Sequence, residues 1–146
     1  MAVVVDSSAI LALADRADPD HDLMVEWIEL ADDDLVISPL VAAHADELLR
    51  AAGGPAAGEA FASDLKSGAY VVRWWADAMA ESATIVGEQQ VDLVDASVIA
   101  VAARARTNLI ATTRRDTWNH LVTPDGTDFE IVPARQRPRP QLLETA

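Results

Sequence analysis

The sequence predicts a three-layer α/β/α domain with a mostly parallel central sheet of four to five strands. Three observations carry this. Short runs rich in β-branched residues recur along the chain, beginning with Val3-Val4-Val5 and Leu35-Val36-Ile37. These runs are apolar throughout rather than alternating, as strands covered on both faces are. Segments with helical spacing separate them, which is the signature of βαβ units joined by right-handed crossovers. In such a sheet the strand carboxyl ends share one edge, and ligand sites form there.

The bulk properties bound the chemistry. A chain of 146 residues fits one domain able to bury its own core. There is no cysteine, and His21, His44 and His120 lack the spacing of a zinc site, so a bound metal would be held mainly by carboxylates. That favours a hard cation, Mg²⁺ or Mn²⁺. The formal charge of −13 repels nucleic acid unless metal or local basic groups intervene, and it suits a basic protein partner. No signal-peptide pattern opens the chain and no apolar run reaches membrane-spanning length, so a soluble cytoplasmic protein is expected.

Taken in order, the first strand turns polar at Asp6-Ser7-Ser8 and leads into the apolar helix Ala9 to Ala14. Asp6 is both a candidate site residue at a strand end and a candidate helix cap. Asp15 to Asp22 is a polar connection, and Leu23, Trp27, Ile28 and Leu30 mark an amphipathic helix ending about Ala31. Asp32-Asp33-Asp34 reads as a solvated turn, because consecutive side chains diverge. Ser38-Pro39 then opens a helix to about Ala52 with a cap followed by proline. On it, His44 and Glu47 share a face from which Asp46 points away. Gly53-Gly54-Pro55 ends that helix, and a second runs from about Ala56 to Lys66.

Tyr70 to Trp75 reads as a third strand, its tryptophan pair serving core packing or burial under a partner rather than base stacking, with a helix from about Ala76 to Glu88. Asp92 and Asp95 stand three apart at the start of a helix otherwise small and apolar to Arg104, where the macrodipole favours negative charge. Capping and metal binding both account for them. Asn108 to Thr113 makes a fourth strand ending in hydroxyls, followed by Arg114-Arg115-Asp116, and Phe129 to Val132 a last one. Arg135, Arg137 and Arg139 alternate with prolines, so residues 134–146 read as an extended, mobile tail after a domain spanning 1–133.

Asp6 and Asp116 follow strands on the same edge, and acids on neighbouring helices can join them. Carboxylates converging there repel one another unless a divalent cation sits between them, and such a cation promotes phosphodiester hydrolysis. At this point the chain resembles a known family. Asp6-Ser7-Ser8 after a strand, the Ser38-Pro39-Leu40-Val41 helix entry, Leu93-Val94-Asp95-Ala96-Ser97 and Ile110-Ala111-Thr112-Thr113-Arg114-Arg115 look like the PIN domain, in particular the VapC ribonuclease toxins of type II toxin-antitoxin systems. The likeness spans roughly residues 2 to 133. It implies a Mg²⁺- or Mn²⁺-dependent endoribonuclease acting on RNA, usually a homodimer, inhibited by a VapB antitoxin that inserts into an acidic groove.

Asp6 and Asp95 match the family's acids directly. The helix after Ser-Pro, however, carries His44 where similar proteins have a glutamate, and the strand-end Thr-x-Asp pattern reads Thr112-Thr113-Arg114. The resemblance therefore implies a metal held by Asp6 and Asp95, with Glu47 or Asp46 and Asp116 completing the site. Ser8 and Thr112 would orient ligands or substrate, with His44, Arg114 and Asp92 close by. Arg114 either enters the pocket as a fixed positive charge or turns outward. The rival reading is a degenerate PIN domain that holds RNA or antitoxin without cutting, because His44 and Arg114 replace two acids. A receiver or dehalogenase-type phosphatase would want paired acids after the first strand, where this chain has Asp6-Ser7-Ser8.

Overall fold

The computed structural model describes residues 1–134, so the arginine and proline tail, including Arg135, Arg137 and Arg139, lies outside the described residues. The chain runs β1 (Ala2–Val5), α1 (Ser7–Ala14), α2 (His21–Leu30), β2 (Asp34–Ile37), α3 (Pro39–Ser67), β3 (Val71–Val72), α4 (Ala78–Gln89), α5 (Leu93–Ala105), β4 (Leu109–Ala111), α6 (Arg115–Trp118) and β5 (Glu130–Val132). The five strands form one sheet in the order β3-β2-β1-β4-β5, and every pairing between them is parallel.

The three valines of β1 are buried because β1 is the middle strand, covered on both faces. α1 packs against α2 and α3, α4 packs against α5, and α5 lies across β1 and β2. Residues Asp95 to Ala102 of α5 are buried without interruption. Small side chains let this helix approach the sheet closely, so its all-round apolar character reflects burial rather than an amphipathic face.

α3 bends where glycine and proline meet. Gly54 has φ 73° and ψ −169°, outside the helical region, and Pro55 follows it. The two expected helices are both present, meeting at this kink within α3. At its start, Ser38 Oγ accepts the Val41 N–H at 3.0 Å and meets Ser97 Oγ at 2.7 Å, which fastens the helix entry to α5.

The expected third strand is much shorter than Tyr70 to Trp75. Among the described residues β3 is an edge strand pairing only with β2, and after the Arg73 N–H bonds Ile37 O the chain leaves the sheet. Trp74 and Trp75 instead pack, half-buried, against the core. Trp75 donates its indole N–H to Glu81 at 3.1 Å, and the Arg104 guanidinium lies 5.1 Å from its ring. Among the described residues no helix is long and apolar enough to cross a membrane.

Candidate active site

The strand order places β1 beside β2 on one side and β4 on the other. The topology thus reverses direction between β1 and β4, and ligands of open α/β sheets bind outside the carboxyl ends at such a point. Asp6 follows β1 there and Thr112 follows β4, and the Asp6 N–H is tied to Ala111 O at 2.9 Å.

Asp6 stands at the N-cap position of α1, but its side chain makes no cap bond. Its carboxylate, fully buried, turns instead toward β4. Oδ2 accepts from Thr112 Oγ1 at 2.8 Å and from Ser8 Oγ at 2.9 Å. Both hydroxyls also accept strand-end amides, Ser8 from Thr113 N–H at 3.1 Å and Thr112 from Arg114 N–H at 3.0 Å. Each hydroxyl thereby has its one proton directed at Asp6, which fixes the carboxylate's orientation.

Asp95 enters from the first turn of α5. Asp92 accepts the Asp95 N–H at 2.8 Å, so capping falls to Asp92 and leaves the Asp95 carboxylate free. The two accounts that the sequence left open are thus divided between two residues.

Arg114 joins the acids. Its Nε and Nη2 donate to the two oxygens of Asp6, each at 2.9 Å. Its Nη2 and Nη1 donate to Asp95 Oδ1 at 2.6 Å and Oδ2 at 3.3 Å. The guanidinium thus forks onto one carboxylate side-on and onto the other end-on, with Nη2 shared. Burial alone would raise the Asp6 carboxyl, but the Arg114 hydrogen bonds and charge, with Thr112 and Ser8, hold it below its usual 3.8. Asp95 goes the other way: burial raises it, Arg114 opposes, and the Asp92 and Asp6 charges add to the rise. Desolvation pulls the Arg114 guanidinium pKa down, but its bonds to Asp6 and Asp95 raise it above its usual value.

A PIN-domain family model matches residues 3–118, which covers the sheet from β1 to β4 and both acids. The chain belongs to the PIN-domain family. Ribonuclease VapC26 of Mycobacterium tuberculosis is 33% identical over 135 residues, covering 90% of this chain and 100% of that protein, which places this PIN domain in the VapC-type ribonuclease toxin group. The crystal structure of Mycobacterium tuberculosis VapC20, described as a sarcin-ricin loop cleaving toxin, superposes with a TM-score of 0.69 at 22% identity. It covers 75% of this chain and 87% of that one, and shares the fold.

This PIN domain does not bring the other predicted acids to the pair. Among the described residues no group of three or more His, Asp or Glu side chains could hold a metal ion. Asp46 faces its own helix neighbour, accepting Arg50 Nε at 3.0 Å. Glu47 and Asp116 are exposed. A carboxylate one helical turn beyond position 44, or two residues beyond 114, is swung out to solvent. His44 is half-buried with Nδ1 2.8 Å from Ser7 Oγ, a hydrogen-bonded residue beside the site.

The donor set that remains suits one hard cation. Two carboxylates close enough to share a single guanidinium nitrogen can both reach an ion between them, and Mg²⁺ is commonly held by one or two carboxylates with water and substrate phosphate filling its sphere. In this PIN domain the guanidinium stands at that point. Sequence reasoning also missed the pairing of Arg115 with Asp20 at 3.3 Å. No local pattern signals it, because Asp20 belongs to the α1–α2 connection, far away in the chain. A cavity of about 520 Å³ near Arg106, Thr107 and Asn108 lies at the amino end of β4, away from the acids.

Proposed function

We propose that this protein is a metal-dependent endoribonuclease, the VapC-type toxin of a toxin-antitoxin pair, hydrolysing RNA phosphodiesters and countered by a VapB-type antitoxin. The observation that carries the reading is the convergence of Asp6 and Asp95, both buried, at the switch point of the parallel sheet. The full-length match to a protein named a ribonuclease favours cutting over the non-cutting rival.

Asp6 and Asp95 would hold Mg²⁺ or Mn²⁺. When bound, that ion supplies charge against the phosphodiester's own and activates water for attack. The protein's part is to hold the pair in place and aimed. Ser8 and Thr112 orient Asp6 by donating to the same oxygen, Oδ2, and the other oxygen meets the Arg114 Nη2 that also bonds Asp95. Asp92 holds the first turn of α5 so that Asp95 keeps its position. The acidic surface favours a basic antitoxin segment.

The test is cleavage of RNA by the purified chain with Mg²⁺ or Mn²⁺, with and without chelator, beside Asp6→Asn and Asp95→Asn. Cleavage should require the metal and vanish in both variants. Full activity in either variant would remove the assignment.

A further inference from the structure

Arg114 commits four of its five N–H groups to the two acids: Nε and one Nη2 proton to Asp6, the other Nη2 proton and one Nη1 proton to Asp95. Both oxygens of both carboxylates are engaged. A divalent ion ligated by the pair needs the place that Nη2 holds, since Nη2 is the atom within bonding distance of each. Guanidinium and metal are therefore alternatives at this site rather than companions.

The surroundings fit an exchange. The Arg114 side chain is 39% exposed, whereas those of Asp6 and Asp95 are 0% and 9% exposed. The cation thus lies on the solvent side of the acids it covers. Its backbone is anchored separately, through its N–H on Thr112 and its carbonyl on the Trp118 N–H, so the side chain can leave by rotation while α6 stays in place. Without any cation, two buried carboxylates at this spacing would repel strongly. Arginine stays charged at every physiological pH, so it satisfies the pair whenever metal is absent.

We propose that Arg114 is a built-in counter-cation, an autoinhibitory latch that closes the Asp6–Asp95 pair and that a divalent cation must displace to bind. The inference rests on the reading that this pair binds a divalent cation. It makes the empty-handed protein stable and raises the metal concentration needed to open the site.

The experiment is calorimetric titration of the full chain with Mn²⁺, in wild type, Arg114→Gln, Arg114→Lys and Asp95→Asn. Arg114→Gln should bind Mn²⁺ more tightly than wild type by on the order of tenfold or more. Arg114→Lys keeps the charge but cannot fork onto both acids, and should lie nearer Arg114→Gln than wild type. Equal affinity in Arg114→Gln and wild type would overturn the latch. So would Arg114→Lys behaving like wild type, which would reduce the effect to charge alone. Should Arg114→Gln melt too early to titrate, thermal unfolding against Mn²⁺ decides: the latch requires a larger Mn²⁺ stabilisation in the variant than in wild type, and no difference overturns it. Loss of Mn²⁺ binding in Asp95→Asn, with chelator-sensitive RNA cleavage, would uphold the metal reading even where the latch fails. No Mn²⁺ binding in any variant and cleavage indifferent to chelator would overturn both.

Discussion

Asp6 and Asp95 look equivalent in the sequence, but the structure makes their neutralisation unequal in cost. Asp6 accepts four side-chain hydrogen bonds, from Arg114 Nε and Nη2, Thr112 and Ser8. In Asp6→Asn the amide oxygen can keep the position facing Nε, Thr112 and Ser8, but the amide nitrogen then faces Nη2, donor against donor. One charge-assisted bond is lost and the other becomes a bond to a neutral acceptor. Such bonds are worth roughly 1.5–3 kcal/mol each, and the partly exposed Arg114, which retains Asp95, reduces that, leaving a cost of about 2–3 kcal/mol. That corresponds to a fall in Tm of roughly 5–10 °C for a chain of this size. Among the described residues Asp95 accepts side-chain bonds from Arg114 alone, and burial with the Asp92 and Asp6 charges lifts its carboxyl above 3.8, so its ionised form is disfavoured by the fold. Asp95→Asn should therefore cost less than Asp6→Asn. The pH dependences oppose each other. With its pKa depressed, Asp6 contributes stability that is present above its unfolded value and lost as pH falls through the folded one. Asp95, with its pKa raised, costs stability above its folded value and returns it as pH falls toward 3.8. The assay is urea unfolding in chelator, followed by tryptophan fluorescence, with the m-value checked for constancy. A loss in Asp95→Asn equal to or larger than that in Asp6→Asn would refute this account of the site.

Two further predictions concern the scaffold. Tyr70 is the chain's one tyrosine, and burial together with the Asp64 charge pushes its phenol up to about 12, so tyrosinate absorbance reads it alone. Its contribution is complete below the unfolded value near 10 and is lost as pH rises from there to about 12, at most about 2.7 kcal/mol. Native protein titrating near 10 would contradict its burial, and Asp64→Asn should lower the midpoint. Gly54→Ala meets no atom within 4 Å, so its cost is the backbone strain of φ 73° and ψ −169°, about 1–3 kcal/mol, and an unchanged urea midpoint would show that the α3 hinge does not need glycine.

What the sequence made legible is what depends on local pattern. Consecutive valines announced the middle strand, Ser38-Pro39 the α3 entry, and Gly54-Pro55 its hinge. Asp6 and Asp95 stood out because an acid at a strand end or the mouth of an apolar helix needs a reason to be there. What stayed hidden depends on which strands are neighbours. Whether Arg114 turns inward follows from β4 lying against β1, which brings position 114 onto acids 108 and 19 residues away. Glu47 shares a helix face with His44, yet sharing a face does not set reach, and one turn of helix, about 5 Å, carries Glu47 into solvent. The length of β3 was hidden for a similar reason: an apolar run does not show whether it has one partner strand or two.

Charge and the fork onto both acids together explain why the site takes this form. Two carboxylates with one guanidinium carry a net −1, and adding a divalent ion to that set would leave the site positive while placing two cations side by side. Removing the guanidinium leaves −2, which one divalent ion balances. Exchange is therefore favoured over addition, and the same arithmetic limits the site to one metal ion unless RNA phosphates bring further negative charge. The replacement of acids at positions 44 and 114 thus has a common effect. His44, hydrogen-bonded to Ser7, adds no carboxylate to the pair, and Arg114 supplies the cation that two remaining acids need in order to stay buried without metal.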